Sequence, residues 1–285
     1  MFAVDYPGIL SLTNLPVCYI NLTIGYLLIV YNNFAEKLFT ERRKNKKPNP
    51  LPMKHRLLLL LLIVSFYPLK AQINAYLIPN YDKIKTEIAD SASSFYYPAL
   101  IERLVEQDTT ITLEEFRHLY FGYVFQPKYN PYWTSPDEKE LIKYYRSEKI
   151  DPKDYDKIIK LATHAISEFP FDLRQLNYLS YIYHLKGEEE NARKVSYQFR
   201  GILDSILSSG DGKTEETAYH VISVSHEYVF MNIFGFELTR QSLIDGKSGA
   251  CDLLDLAKNE NNIEHLYFNV DQLLKKNREL MKLGK

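Results

Sequence analysis

Disulfides have almost no material to work with in this sequence. Its 285 residues include two cysteines, Cys18 and Cys251. A chain that loses Cys18 keeps one thiol, which closes no internal bridge, so the fold must be held by packing. An excess of charge of either sign is also missing, with 35 Lys+Arg against 36 Asp+Glu and a formal charge of -1. A nucleic-acid partner needs a basic surface to release counterions, and that class is set aside. At 46% hydrophobic and 25% charged residues the composition is that of a globular chain with room for one or two cores.

Catalytic signatures are lacking as well. Ser248 has Gly246 two residues before it but Ala250 two residues after, so no Gly-x-Ser-x-Gly elbow exists. Gly212-Lys213-Thr214 resembles the end of a phosphate-binding loop, yet Leu207 stands where its first glycine is required. Gly246-Lys247-Ser248 fails in the same way through Gln241. His226-Glu227 opens like a zinc-protease helix, but Phe230 holds the place of the second histidine. His220, His226, Cys251, Asp252 and His265 fall in one region of the chain. A zinc site would need three or four of them on one face, with further groups orienting them, and His220 and His226 share a face only if both lie on one strand. They are read as scattered side chains. No catalytic residue, metal or cofactor is assigned, and a triad of distant residues stays open.

What is present starts at Met53. Lys54, His55 and Arg56 precede an unbroken apolar run over 57–64, and Pro68-Leu69-Lys70-Ala71 offers a small residue before a cut ahead of Gln72. This is the layout of a secretory signal peptide at 53–71, too short for a membrane span of roughly 20 residues. No cysteine follows the run at the cut, which argues against a lipid anchor. Residues 1–52 have two readings: a leader ahead of a mis-assigned start, or a short membrane helix near 17–31 with the basic stretch 42–56 kept inside. Both readings export 72–285, to the periplasm or outer surface of a Gram-negative bacterium. Membrane contact is expected only through the N-terminal segment, if it is retained.

Within 72–210 the pattern is helical. Apolar residues recur at helical spacing over 81–92 and 98–106, and Thr112 with Glu115 makes a capping-box signature for a helix reaching about 125. The segment 126–131 breaks it, and Ser135-Pro136-Asp137 opens another. Residues 173–186 form an amphipathic helix stopped by Gly187, followed by a second over 188–207. Leu176, Leu179, Tyr183, Gly187 and Ala192, with Pro170, Ala162 and Ala165 before them, resemble a tetratricopeptide repeat over roughly one and a half units. Ser180 stands where that repeat usually has Gly, and 139–149 matches poorly.

The texture changes at 211–285. Residues 219–236 are rich in Val, Ile, Tyr and Phe and read as strand, continued by 238–244, with Asp245-Gly246 as a hairpin turn. Residues 251–257 and 263–270 alternate around Asn259–Asn262, and a helix capped by Asp271 or Asn269 closes the chain to about 283. The expected fold is α+β: N-terminal helical hairpins packed with a C-terminal antiparallel sheet and a closing helix.

Leu119-Tyr-Phe-Gly-Tyr-Val-Phe-Gln126, Tyr129-Asn-Pro-Tyr132, Cys251-Asp252 and Leu266-Tyr-Phe-Asn269 make this chain similar to an uncharacterised Bacteroidetes family, the domain of unknown function 4919. The resemblance implies an exported protein of this fold and brings no activity with it.

Two surfaces are candidates for binding. Arg174, Asn177, Tyr181 and His184 form one helix stripe at steps of three, four and three, which a tetratricopeptide groove would turn toward an extended peptide. A solvated helix face is the competing reading. The aromatic cluster Tyr120, Phe121, Tyr123, Phe125, Tyr129, Tyr132 and Trp133 holds a second candidate, with Tyr129, Tyr132 and Trp133 as rings that stack on a sugar; internal packing is the alternative. The expectation is a non-catalytic binding module with a protein or peptide partner in the envelope, and a glycan as a further ligand class. The alternative is an envelope hydrolase acting on glycan or peptide with a site assembled across the fold.

Overall fold

In the computed structural model of the chain, residues 76–282 are described, Glu148 apart. The expected leader and signal peptide at 1–71 lie outside the described residues.

The helical part is built around one helix that is apolar on nearly every side. Helix α3 (Leu113–Gly122) starts with the expected capping box: Thr112 accepts the Glu115 N–H, and the Glu115 carboxylate accepts the Thr112 N–H at 2.7 Å. Every residue from Phe116 to Gly122 is buried, as a helix central to a core requires. Its two buried polar side chains are tied down. Arg117 donates to Ser208 Oγ and to the Leu77 carbonyl, and His118 stacks on Phe95 and bonds Glu87 at 2.8 Å. Two shorter helices lean on α3. Helix α1 (Tyr81–Ala89) is capped by Asn80 and buries Ile84 and Ile88. Helix α2 (Tyr97–Val105) has Pro98 in its first turn and buries Tyr97, Leu100 and Leu104.

A 3-10 turn (Tyr123–Phe125) and a loop lead to α4 (Glu138–Tyr145). Helices α5 (Tyr155–Glu168), α6 (Leu173–Lys186) and α7 (Glu189–Leu207) then pack in succession, α5 on α6 and α6 on α7. Gly187 ends α6 in the left-handed conformation at φ +80°, where a side chain would be strained. Leu141, Ile158 and Ile182 form a small separate core under α4, worth roughly 1.5–3 kcal/mol for each side chain fully buried. That satellite core fixes α4 beside α6.

The sheet has the order β1-β4-β3-β2. Strands β2 (Leu238–Gly246) and β3 (Gly249–Leu256) form a hairpin, and β4 (His265–Asn269) continues it antiparallel. The two-residue strand β1 (Tyr219–His220) joins β4 in parallel, which its distance in sequence from β4 permits. Helix α9 (Asp271–Lys282) closes the chain, with Asn269 accepting the Asp271 N–H at 3.2 Å. The result is the α+β arrangement expected, with one parallel pair in an otherwise antiparallel sheet.

Two local expectations are corrected. Residues 219–236 are not mainly strand, because Val224–Ile233 is a helix, α8. Ser223 caps it by accepting the Ser225 N–H, and its apolar residues pack on both the sheet and the helices. A segment buried on most sides carries no polar face, so its composition does not separate strand from helix. His220 on β1 and His226 on α8 consequently share no strand face. The hairpin turn is Lys247-Ser248, between paired Gly246 and Gly249, with Gly249 at φ +112°; Asp245 still belongs to β2.

Candidate functional site

Helix α6 turns Leu173, Leu176, Leu179 and Ile182 into the cores and leaves Arg174, Asn177, Tyr181 and His184 at or near the surface. The stripe read from spacing lies along one side of α6, with Arg174, Asn177 and Tyr181 half-buried, Tyr181 against the small core, and His184 exposed. Its first residue is held by a network with a buried centre. Tyr145 of α4 donates to Gln175 Oε1 at 2.5 Å, and Gln175 Nε2 lies 3.4 Å from Glu138 Oε2. Arg174 Nη1 donates to the other Glu138 oxygen at 2.9 Å. Gln175 is wholly buried, so the Glu138 carboxylate is fixed from inside and in turn fixes the guanidinium. The network uses one of the five N–H donors of Arg174. At the far end of the stripe His184 Nδ1 sits 2.8 Å from Glu189.

The start of α6 is polar as well. Asp172 caps the helix by accepting the Gln175 N–H at 3.1 Å. Burial pushes its carboxyl up to about 6, with Glu138 adding to the rise and Arg174 opposing it. Burial also raises the Tyr145 hydroxyl, so that side chain stays a neutral donor. Just ahead of α4, Asp137 bonds His164 Nδ1 of α5 at 2.6 Å.

The aromatic residues separate. Tyr129 is in the core, its hydroxyl donating to the Ile222 carbonyl at 2.8 Å, so it cannot offer a ring to a sugar. The loop folds inward there because Tyr129 packs edge-on against Tyr123. Trp133 is half-buried against Phe169, and Tyr132 is exposed at 51%. Tyr120, Phe121 and Tyr123 are buried. This cluster is mostly internal packing.

The five candidate metal ligands do not meet. His226 is buried, donating from Nε2 to the Phe171 carbonyl at 2.9 Å and accepting the Tyr120 hydroxyl at Nδ1 at 2.7 Å; the carbonyl partner fixes that tautomer. His220 lies 3.5 Å from the Tyr81 hydroxyl, and His265 bonds Asp255 at 2.8 Å. Cys251 is buried, and burial with nearby carboxylates lifts its thiol to about 11. Among the described residues no group of three or more His, Cys, Asp or Glu side chains is placed to hold a metal ion.

One polar pair escaped the sequence. Glu227 on α8 is wholly buried and hydrogen-bonded to Asp252 on β3. Gln241 on β2 donates to both, at 3.3 and 2.8 Å, and accepts the Tyr228 hydroxyl at 2.7 Å. Burial, then the Asp252 charge, raises Glu227 well above the usual carboxylate range. As a neutral acid it donates to Asp252, which accounts for its Oε1 atom having no donor partner among the described residues. The pair shares a proton but meets almost no solvent, so its work is to tie β2 to α8 and β3. The one sequence signal was a lone acid inside the apolar stretch 219–236.

No helix among the described residues is long and apolar enough to cross a membrane. No curated protein and no solved structure matches the chain. The family model described as "Domain of unknown function (DUF4919)" matches residues 82–279, from the first helix to the last. That match spans more than half of the sequence, and the protein belongs to the DUF4919 family.

Proposed function

We propose that the protein is an exported interaction module of the Gram-negative envelope that holds an extended segment of a partner polypeptide along the outer face of α6. The observation that carries this reading is the Arg174 guanidinium, anchored through one nitrogen by Glu138 with its other donors without a hydrogen-bond partner among the described residues. A charged donor group that is already oriented loses less freedom when it binds. The Asn177 amide one turn on has no hydrogen-bond partner among the described residues either, and it can both donate to and accept from a peptide backbone. Tyr181 and His184 extend the same line with contact area and a further ring nitrogen. The succession of antiparallel contacts, α5 on α6 and α6 on α7, supports the resemblance to a tetratricopeptide segment. The partner chemistry that fits is an extended backbone carrying a carboxylate near Arg174. Export rests on the layout of 53–71.

Affinity capture from envelope extract tests this, with the tagged chain as bait beside a variant in which Arg174, Asn177, Tyr181 and His184 are all alanine. A polypeptide retained by the first bait and lost by the second, at equal thermal stability, is the expected result. Equal capture by both baits removes the α6 face from the account.

A further inference from the structure

Strand β2 lies at the edge of the sheet. Which of its backbone groups point outward follows from the bonds its neighbours make. The Val270 N–H donates to the Ala250 carbonyl and the Leu256 N–H to the Glu264 carbonyl, both at 2.9 Å. Even-numbered residues of β3 therefore address β4, and odd-numbered ones address β2, as the Ala257 N–H to Glu237 carbonyl bond at 2.8 Å continues. In the observed register the hydrogen-bonded partners are then Ile244 with Cys251, Ser242 with Leu253 and Arg240 with Asp255. Gln241, Leu243 and Asp245 are left with N–H and C=O directed away from the sheet. Their side chains alternate onto one face, where Leu243 is exposed at 59% and Tyr228 of α8 stands exposed beside Gln241.

Natural edges are blunted by proline, lysine, bulges or covering elements. Here the bulge falls at Leu238/Arg240 and Lys247 lies in the turn, which leaves the five residues between Arg240 and Gly246 unguarded. That segment is self-complementary. Antiparallel pairing about a two-fold axis at Leu243 makes each outward residue meet an outward residue: Leu243 with its own copy, and Gln241 with Asp245 twice. Leucine then contacts leucine, and no acid faces an acid. A slip that centres the axis on Asp245 brings two carboxylates together, and the intermediate slips lose the leucine pair.

We propose that β2 is a homodimer interface, at which two copies of this chain join their sheets into one continuous eight-stranded sheet with Leu243 on the two-fold axis. The outer ends of such a sheet are the two-residue β1 strands, too short to recruit further copies. The α6 face takes no part, so the dimer presents two of the peptide-holding surfaces proposed above and does not depend on them.

The test uses the purified full chain, its mass in solution and two cysteine variants. A hydrogen-bonded antiparallel pair sets Cα atoms about 5.5 Å apart, within the range a disulfide spans. Leu243→Cys is therefore expected to cross-link two copies under mild oxidation. Asp245→Cys, displaced from its own copy by about four residues at ~3.4 Å each, is expected not to. Cys251 is buried and does not compete, and Cys18 is changed to Ser in both variants. Wild type should sediment at twice the protomer mass, and Leu243→Lys, a change at an exposed side chain, at the protomer mass with an unchanged far-UV circular dichroism spectrum. A monomeric wild type overturns the proposal. So does a dimer that survives Leu243→Lys, or one in which Asp245→Cys cross-links as readily as Leu243→Cys.

Discussion

Glu227 and Asp252 meet as two hydrogen-bonded carboxyl groups, with the Gln241 amide donating to both. Neither Lys nor Arg is among the groups that shift them. Two bare charges would be costly at such a place, and a single shared proton removes most of that cost. The carboxyl-to-carboxyl contact between α8 and β3 thus exists only while the proton stays, whereas the Gln241 amide ties the edge strand to both in either state.

Stability should consequently fall with rising pH on account of this pair. Glu227 in the unfolded chain ionises near 4.5, while in the fold it holds its proton to a much higher pH. Above 4.5 the folded state binds the extra proton, so each pH unit costs up to about 1.4 kcal/mol until the folded group ionises. Urea unfolding of Glu227→Gln across pH 5 to 9 should show a shallower decline than wild type, with the variant gaining most at the alkaline end. Parallel curves for the two proteins would contradict the shared proton.

The buried histidines act in the opposite direction. Burial lowers His226 to about 3 and His220 to about 4, against 6.5 for the unfolded side chain. Their contribution is complete above 6.5 and is lost as pH falls toward the folded values, again at up to about 1.4 kcal/mol per unit for each. Ring-proton NMR is expected to show His226 without a titration step between pH 8 and 5. A midpoint near 6.5 would place it in solvent rather than between Tyr120 and Phe171.

Gly201 on α7 faces the Phe116 ring of α3, and an added Cβ would overlap that ring. Replacing a helical glycine by alanine normally stabilises by roughly 0.5–1 kcal/mol. Gly201→Ala should instead destabilise by about 1–3 kcal/mol, because a packed core has to shift. A higher melting temperature for this variant would mean that α3 and α7 are less closely apposed.

How much of this could be read from sequence depends on whether the signal was local. Thr112 and Glu115, Gly187, and the alternation on either side of Asn259–Asn262 are short-range codes, and each produced the element expected. The α6 stripe was legible for the same reason, since a helical period sorts Arg174 and His184 from Leu176 and Leu179. Helix α8 was not, because Val, Phe and Met buried on several sides leave no period to detect. Tyr129 looked like a surface ring until the loop carried it onto Ile222. Glu138 and Glu227 were missed because what matters about each is its partner, 36 residues away at Arg174 and on another element at Asp252.

Export has its own test outside the described residues. Leu60→Arg interrupts the apolar run at 57–64, where a central charge costs roughly 2.5–3.5 kcal/mol on insertion. The variant should accumulate unprocessed in the cytoplasm, while wild type yields an exported chain starting at Gln72. Equal export of both would place the targeting information elsewhere.

The α6 face is tested most directly by photo-cross-linking in cells. A photoreactive residue replaces Asn177 in one strain and the exposed Arg278 of α9 in another. A discrete polypeptide adduct is expected from position 177, absent from position 278 and lost when Arg174→Ala is added. The same adducts from both positions, or an adduct at 177 that persists without Arg174, would contradict a peptide-holding role for this helix.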